Sequence, residues 1–212
     1  MRARSLLPFT AILAVLLVAT LVIAKGGHSK PKLPGNATTV SSANLRGATV
    51  SPRVHAPPID LRDVTGKRIT MGRYRGKVVL VTFLYVKCPD VCPLITTNLH
   101  ATQARLGPRA KDIPIVAISV DPHGDTTKSV TEYLRQHDMT GRMRYLIGNG
   151  DELARTWKAW NVGSKRDTAN PELVAHSALV YGIAKSGRIT TVYPANFKPA
   201  DIVHDLPLLE RL

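Results

Sequence analysis

The sequence predicts an α/β fold: one domain built on a central mixed sheet flanked by helices, preceded by an apolar N-terminal segment and a linker. Two near-continuous runs of β-branched and aromatic residues, at 77–86 and 113–120, each lead into a segment of helical pattern. A pair of short apolar runs near the C-terminus is joined by a tight turn and followed by a last helix. The composition changes once, near residue 58, which argues against a second domain. Strands alternating with helices imply parallel pairing through right-handed crossovers, whereas the terminal hairpin adds antiparallel strands to the same sheet.

Residues 77–86, KVVLVTFLYV, read as a strand buried on both faces. A turn carrying two cysteines follows, and 92–106 reads as a helix closed by Gly107 and Pro108 in the expected stop order. A second buried strand, IPIVAISV at 113–120, ends in the loop DPHGDTT. Residues 129–137 are expected to be helical, 144–147 a short strand, and 151–160 a helix with an acidic start. Residues 178–183 and 188–193 form the hairpin across Lys185, Ser186 and Gly187, before a closing helix from 199 to about 209. This succession is the thioredoxin arrangement, assigned to 59–212. Ligands and chemistry collect beyond the carboxyl ends of such parallel strands, where the loops at Cys88 and His123 both fall.

The chain of 212 residues carries 29 Lys and Arg against 15 Asp and Glu, a formal charge of +14. Residues 1–59 contain no acid, and their seven Lys and Arg supply half of that excess. Arg2 and Arg4 precede an apolar run at 6–24. At about 1.5 Å per helical residue this run approaches the roughly 30 Å hydrocarbon core of a bilayer. Residues 1–24 are therefore expected to be a membrane anchor or signal segment. The length favours an anchor, although Val22, Ile23 and Ala24 resemble a signal cleavage pattern. Residues 25–58, rich in Gly, Pro, Ser and Thr, are expected to be a flexible linker. The expected location is a bacterial cytoplasmic membrane with the head on the extracytoplasmic side. Nucleic acid is excluded as a partner: no zinc-finger spacing, helix-turn-helix signature or basic–aromatic strand pair accompanies the charge. The excess reads instead as solvated charge with some attraction for anionic lipid headgroups.

The two cysteines, Cys88 and Cys92 in YVKCPDVCP, stand between a buried strand and a helix start. Cysteines four apart on the first helical turn face the same way, close enough to form a disulfide or to share a metal. Amides at a helix N-terminus favour the thiolate, the species that attacks disulfides and ligates soft metals. A purely structural disulfide is poorly rewarded, because so short a loop removes little entropy from the unfolded chain. Zinc fits loosely, since it wants four protein ligands or three and water. Two thiolates and an imidazole satisfy copper(I).

Of the seven histidines, His28 and His55 lie in the linker, His100 lies beyond the second turn after Cys92, His204 is in the last helix, and His137 ends a helix. His123 and His176 remain, and the residues alone leave both open. One geometric consideration favours His176. Thioredoxin-like enzymes place a cis-proline just before the strand at 178–183, facing the cysteine pair, whereas this chain has His176 and Ser177 there.

FLYVKCPDVCP resembles the cysteine signature of the Sco/SenC family, thioredoxin-fold copper proteins that assist assembly of the copper centre of cytochrome c oxidase. ISVDPHGDT at 118–126 and HSALVYGIAKSGRI from His176 resemble that family's further conserved blocks. The likeness spans about 56–210 and implies a copper ion held by Cys88, Cys92 and His176. It also implies delivery to the copper-bearing subunit of cytochrome c oxidase, with other copper chaperones or thiol reductants as further partners. Two positions depart from the family. Ala175 stands where an Asp commonly precedes the ligand His, and Lys87 precedes Cys88, where its charge should lower the thiol pKa. The alternative function is a thiol–disulfide oxidoreductase that keeps the oxidase cysteines reduced, with Cys88 as nucleophile and Cys92 as resolving thiol. A peroxiredoxin is weaker, because Tyr85 stands where the Thr three residues before the reactive Cys belongs. Asp121 and Asp125 are expected to make Asx turns and cap the next helix. Trp157 and Trp160 are expected to pack in the core.

Overall fold

A computed structural model describes residues 44–170 and 172–212 of the protein. The segment at 1–24 and the first part of the linker, to residue 43, lie outside the described residues. Among the described residues no helix is long and apolar enough to cross a membrane.

The strands are β1 (Ala48–Thr49), β2 (Asp60–Asp63), β3 (Arg68–Thr70), β4 (Val79–Leu84), β5 (Ile115–Ser119), β6 (Met143–Ile147), β7 (Ser164–Arg166), β8 (Val174–His176), β9 (Leu179–Ile183) and β10 (Ile189–Pro194). The helices are α1 (Val91–Leu106), α2 (Thr127–Gln136), α3 (Gly150–Ala159) and α4 (Pro199–Arg211). Eight strands form one mixed sheet in the order β1-β10-β9-β4-β5-β6-β2-β3, and β7 and β8 make a separate two-stranded ribbon. At the centre, β4, β5 and β6 run parallel, with Leu80 opposite Ile115 and Ile115 opposite Met143. Every residue of β4 and β5 is buried, as expected of strands covered on both faces.

Local signals fix the helices. α1 ends at Gly107, whose φ of 55° suits a residue without a Cβ. Thr126 and Ser129 cap α2 reciprocally, and Asn149 and Glu152 do the same for α3. Asp121 makes the expected Asx turn, its carboxylate accepting from the His123 amide at 3.1 Å, but Thr126 rather than an aspartate caps α2. Trp160 packs edge-on against Phe83 and Tyr181 as a core residue, and the Trp157 indole donates to Ser119 O at 2.9 Å.

The linker boundary at 58 requires correction. β1 pairs with β10, Val50 N donates to Thr190 O at 3.0 Å, and Ala56 N donates to Gly187 O at 2.9 Å. Residues 46–56 thus run along the sheet edge instead of acting as tether. Their low hydrophobicity hid this, because backbone pairing with the sheet edge and a buried carboxylate at 46–47 hold them, with only Val50 and Ala56 packed on the core. Asp205 on α4, fully buried, accepts from Arg46 N at 2.9 Å, Gly47 N at 2.9 Å and the Tyr193 hydroxyl at 2.9 Å. Gly47 is required there, since a Cβ would collide with Thr191 and Tyr193. Asp205→Ala leaves two buried donors, Gly47 N and the Tyr193 hydroxyl, and the part-buried Arg46 amide without an acceptor, and is expected to cost roughly 3 kcal/mol in chemical denaturation, while opening residues 44–56 to protease. A loss below about 0.5 kcal/mol, the range of ordinary surface changes, contradicts this role for Asp205.

Candidate dithiol and metal site

β4 delivers the chain to the carboxyl edge of the sheet, where Tyr85, Val86 and Lys87 lead into Cys88. Cys88 N donates to Tyr85 O at 3.3 Å, which turns the loop, and α1 begins at Val91. Cys92 therefore lies in the first turn of α1, and its amide donates to Cys88 Sγ at 3.3 Å. Both thiols are free and buried, Cys92 completely and Cys88 with 7% of its surface open.

That difference in exposure accompanies a division of labour. Cys88 has its pKa lowered to about 5: the Cys92 thiol donates to it, the amides of Asp90 and Cys92 and the Tyr85 hydroxyl add to this, and burial opposes them. Cys92 is pushed far above the usual thiol range, because its proton is held in the hydrogen bond to Cys88 and because it is buried. Near neutral pH the pair therefore holds one thiolate, at the more open sulfur. Lys87, expected to lower the Cys88 pKa, instead pairs with Glu172 at 2.6 Å.

His176, at the end of β8, places Nε2 3.7 Å from Cys92 Sγ. Burial holds the imidazole below its ordinary pKa, against the Ser177 carbonyl and the Cys88 charge, so the ring is neutral at pH 7. Its Nδ1 lies 3.2 Å from Ser177 O. A proton on Nδ1 donated to that carbonyl leaves a lone pair on Nε2 directed toward the sulfur. The Ser177 carbonyl thus offers the orienting contact that Ala175 cannot.

The 3.7 Å separation is informative in itself. Bonds of the length zinc makes, about 2.3 Å to sulfur and 2.0–2.1 Å to nitrogen, meeting at a trigonal angle, leave the two donors about 3.8 Å apart. Cys92 and His176 are thus already spaced to share one soft ion. Among the described residues, however, no three His, Cys, Asp or Glu side chains are gathered into a closed cage. His123 is exposed on the loop after β5, with its backbone amide bound to Asp121. His55 bridges to Arg188, His137 packs on Tyr133, and His204 contacts Asp205.

Sequence reasoning missed three residues that build the site. Tyr85 packs edge-on against the His176 ring at 5.8 Å, and its hydroxyl accepts from Val174 N at 3.2 Å. Asp125, buried in the loop after β5, accepts from Val86 N at 2.9 Å and the Tyr145 hydroxyl at 2.8 Å; burial raises its pKa to about 6. Arg166 on β7 pairs with the buried Asp121 carboxylate. With the Ser164 hydroxyl donating to Val120 O at 3.0 Å, these contacts dock the β7–β8 ribbon, and hence His176, on the sheet. The Lys87–Glu172 pair is open to solvent and contributes little.

A reduced Cys-x3-Cys pair with an imidazole against it, at the carboxyl edge of a thioredoxin-like sheet, defines a dithiol protein suited to soft metals or to thiol exchange. Residues 48–209 match the SCO1/SenC family, and the chain belongs to it. Protein SenC of Rhodobacter capsulatus is 31% identical over 174 residues, 81% of this chain and 77% of that protein. The structure of Bradyrhizobium japonicum ScoI with copper bound shares 29% identity at a TM-score of 0.61, covering 74% of this chain and 99% of that one. BsSco, a member of the Sco family of cytochrome c oxidase assembly proteins, shares the fold at a TM-score of 0.64 and 20% identity, over 78% of this chain and 99% of that one. The match spans 49%, 42% and 51% of the human SCO1, Arabidopsis thaliana SCO1 and bovine SCO2 homologues, about half their length.

The thiol asymmetry sets a measurable expectation. Iodoacetamide should alkylate Cys88 with a pH midpoint near 5, while Cys92 stays unreactive in the folded protein up to strongly alkaline pH. Cys92→Ala removes the principal donor and should move that midpoint upward. A wild-type midpoint at the ordinary thiol value, about 8.5, contradicts the assignment.

Proposed function

We propose that this protein binds a copper ion through Cys88, Cys92 and His176 and delivers it to the copper-bearing subunit of cytochrome c oxidase during assembly. Residues 1–24 anchor it to a bacterial cytoplasmic membrane, with the head on the extracytoplasmic side. The observation that carries the reading is the contact between Cys92 Sγ and a neutral His176 Nε2 at 3.7 Å, beside the Cys88 sulfur. The copper-bound ScoI relative supports the choice of cargo. Two soft sulfurs and one imidazole favour copper(I) over hard cations. Because Cys88 is the more open sulfur, it is where an incoming ligand of the recipient meets the ion first, so release proceeds by ligand exchange starting at that side.

A second reading rests on the depressed Cys88 pKa. In thiol–disulfide exchange the Cys88 thiolate attacks a partner disulfide, forms a mixed disulfide and expels one partner thiolate, which takes up a proton. Cys92 then loses its proton and attacks Cys88, releasing the second partner thiol and leaving a Cys88–Cys92 disulfide. A Cys92→Ser variant that accumulates no mixed disulfide with oxidised oxidase subunit rules this activity out.

For copper, the reduced full chain is titrated with copper(I) against a competing chelator. His176→Ala should weaken binding tenfold or more, since even outer partners of metal ligands are worth about 10–100-fold. His123→Ala should leave affinity unchanged. Equal retention by His176→Ala and wild type overturns the site.

A further inference from the structure

The His176 imidazole stands on the part of the fold with the least apolar support. β7 and β8 form a two-stranded ribbon outside the main sheet, and of their residues Val174 alone is buried. An isolated pair of strands is marginal in water, so polar contacts to the main sheet must fix where the ribbon lies. Arg166 pairs with Asp121, the Ser164 hydroxyl donates to Val120 O, and Glu172 pairs with Lys87. Those three contacts place the ribbon but do not involve the His176 side chain. Its orientation is a separate matter, since rotation about the bond to the ring changes which atom faces Cys92.

Tyr85 meets both needs. It follows β4 directly, is buried with 3% of its surface open, and its carbonyl accepts from Cys88 N at 3.3 Å, which ties it to the thiol loop. Its hydroxyl accepts from Val174 N at 3.2 Å, two residues from His176. Its ring stands edge-on to the imidazole, with centroids 5.8 Å apart and planes at 82°. Edge-to-face pairs are favourable beyond the area they bury, so this contact resists rotation of the imidazole out of its plane. The Ser177 carbonyl, 3.2 Å from Nδ1, then selects which edge of the imidazole turns toward the sulfur. The Tyr85 hydroxyl is also among the groups that favour charge on Cys88. One side chain thus joins the ribbon, the imidazole and the more open thiol.

We propose that Tyr85 is the positioning residue of this site and that its two parts act separately: the hydroxyl holds the β7–β8 ribbon beside the thiols, and the ring sets the plane in which the His176 imidazole faces Cys92. This role rests on reading Cys88, Cys92 and His176 as one site. It is tested without metal, so a failure of copper binding and a failure of the positioning role give different results. It also accounts for a tyrosine at this place in the chain. A phenylalanine seats the imidazole equally well but leaves the Val174 amide without its acceptor.

The test compares wild type, Tyr85→Phe and Tyr85→Leu by NMR, each as the full chain, reduced and metal-free, in a non-ionic detergent at pH 7. Two signals are read: hydrogen exchange of the Val174 amide, and the ring nitrogens of His176, whose shifts report which of them carries the proton. Wild type should show one neutral tautomer, protonated on Nδ1 as the Ser177 contact requires. Tyr85→Phe should speed Val174 exchange about tenfold, the worth of one net hydrogen bond, and keep the wild-type imidazole signals. Tyr85→Leu should speed exchange at least as much and, in addition, give imidazole signals averaged between the two tautomers. Should the leucine variant not fold, Tyr85→Met takes its place with the same expectation. Recovery of the wild-type imidazole signals by phenylalanine and not by an aliphatic side chain separates positioning from general stability, which would lower Tm without moving those signals. Unchanged Val174 exchange in Tyr85→Phe, averaged imidazole signals in Tyr85→Phe, or wild-type imidazole signals in the aliphatic variant overturns the proposal.

Discussion

The buried carboxylate of Asp125 ties the ends of the three parallel strands together. It leaves β5 in the loop, accepts the amide of Val86 just after β4, and accepts the Tyr145 hydroxyl from β6. Val86 is two residues from Cys88, so this contact sets where the chain turns toward α1 and how the sulfur meets the amide of Cys92. The same loop contributes Asp121, whose pairing with Arg166 docks the ribbon bearing His176. Two neighbouring aspartates on one loop thus place the thiols and the imidazole. Each is buried, at a desolvation cost that polar partners must offset.

The resulting electrostatics separate two sulfurs that the sequence presents as equivalent. The Cys92 proton, with the amides of Asp90 and Cys92, favours charge at Cys88, whereas that same hydrogen bond and burial keep Cys92 neutral. In the proposed copper site an incoming soft cation would meet one thiolate and one neutral imidazole, and would have to displace the Cys92 proton to acquire a second sulfur. On that proposal uptake would depend on pH, and the two proposed chemistries, ligation and thiol exchange, would draw on the same thiolate.

Much of this architecture was legible in the sequence where burial leaves a continuous apolar signal. The runs that became β4 and β5, the helix of α1 and the β9–β10 hairpin were placed within a residue or two, and they suffice to set the fold class and the edge carrying chemistry. β2 and β3, DLRD and RIT, escaped notice because they alternate with charge at the sheet margin. β7 and β8, SKR and VAH, have no apolar pattern; Asp121, Tyr85 and Val120 hold them through contacts distant in sequence. The edge segment at 46–56 was read as linker for the same reason, since Asp205 binds its backbone from more than 150 residues away. Composition records apolar burial well and records a single buried carboxylate hardly at all. The choice between His123 and His176 was open for the same cause: which loop faces the sulfurs is set by docking, not by local pattern.

X-ray absorption spectroscopy of the copper(I)-loaded full chain, compared between wild type and His176→Ala, tests the central claim most directly. The account predicts a wild-type ion surrounded by two sulfurs and one imidazole nitrogen, with the nitrogen scatterer lost in the variant and both sulfurs kept. An identical spectrum for the two proteins, or a wild-type ion bound by sulfur alone, contradicts it.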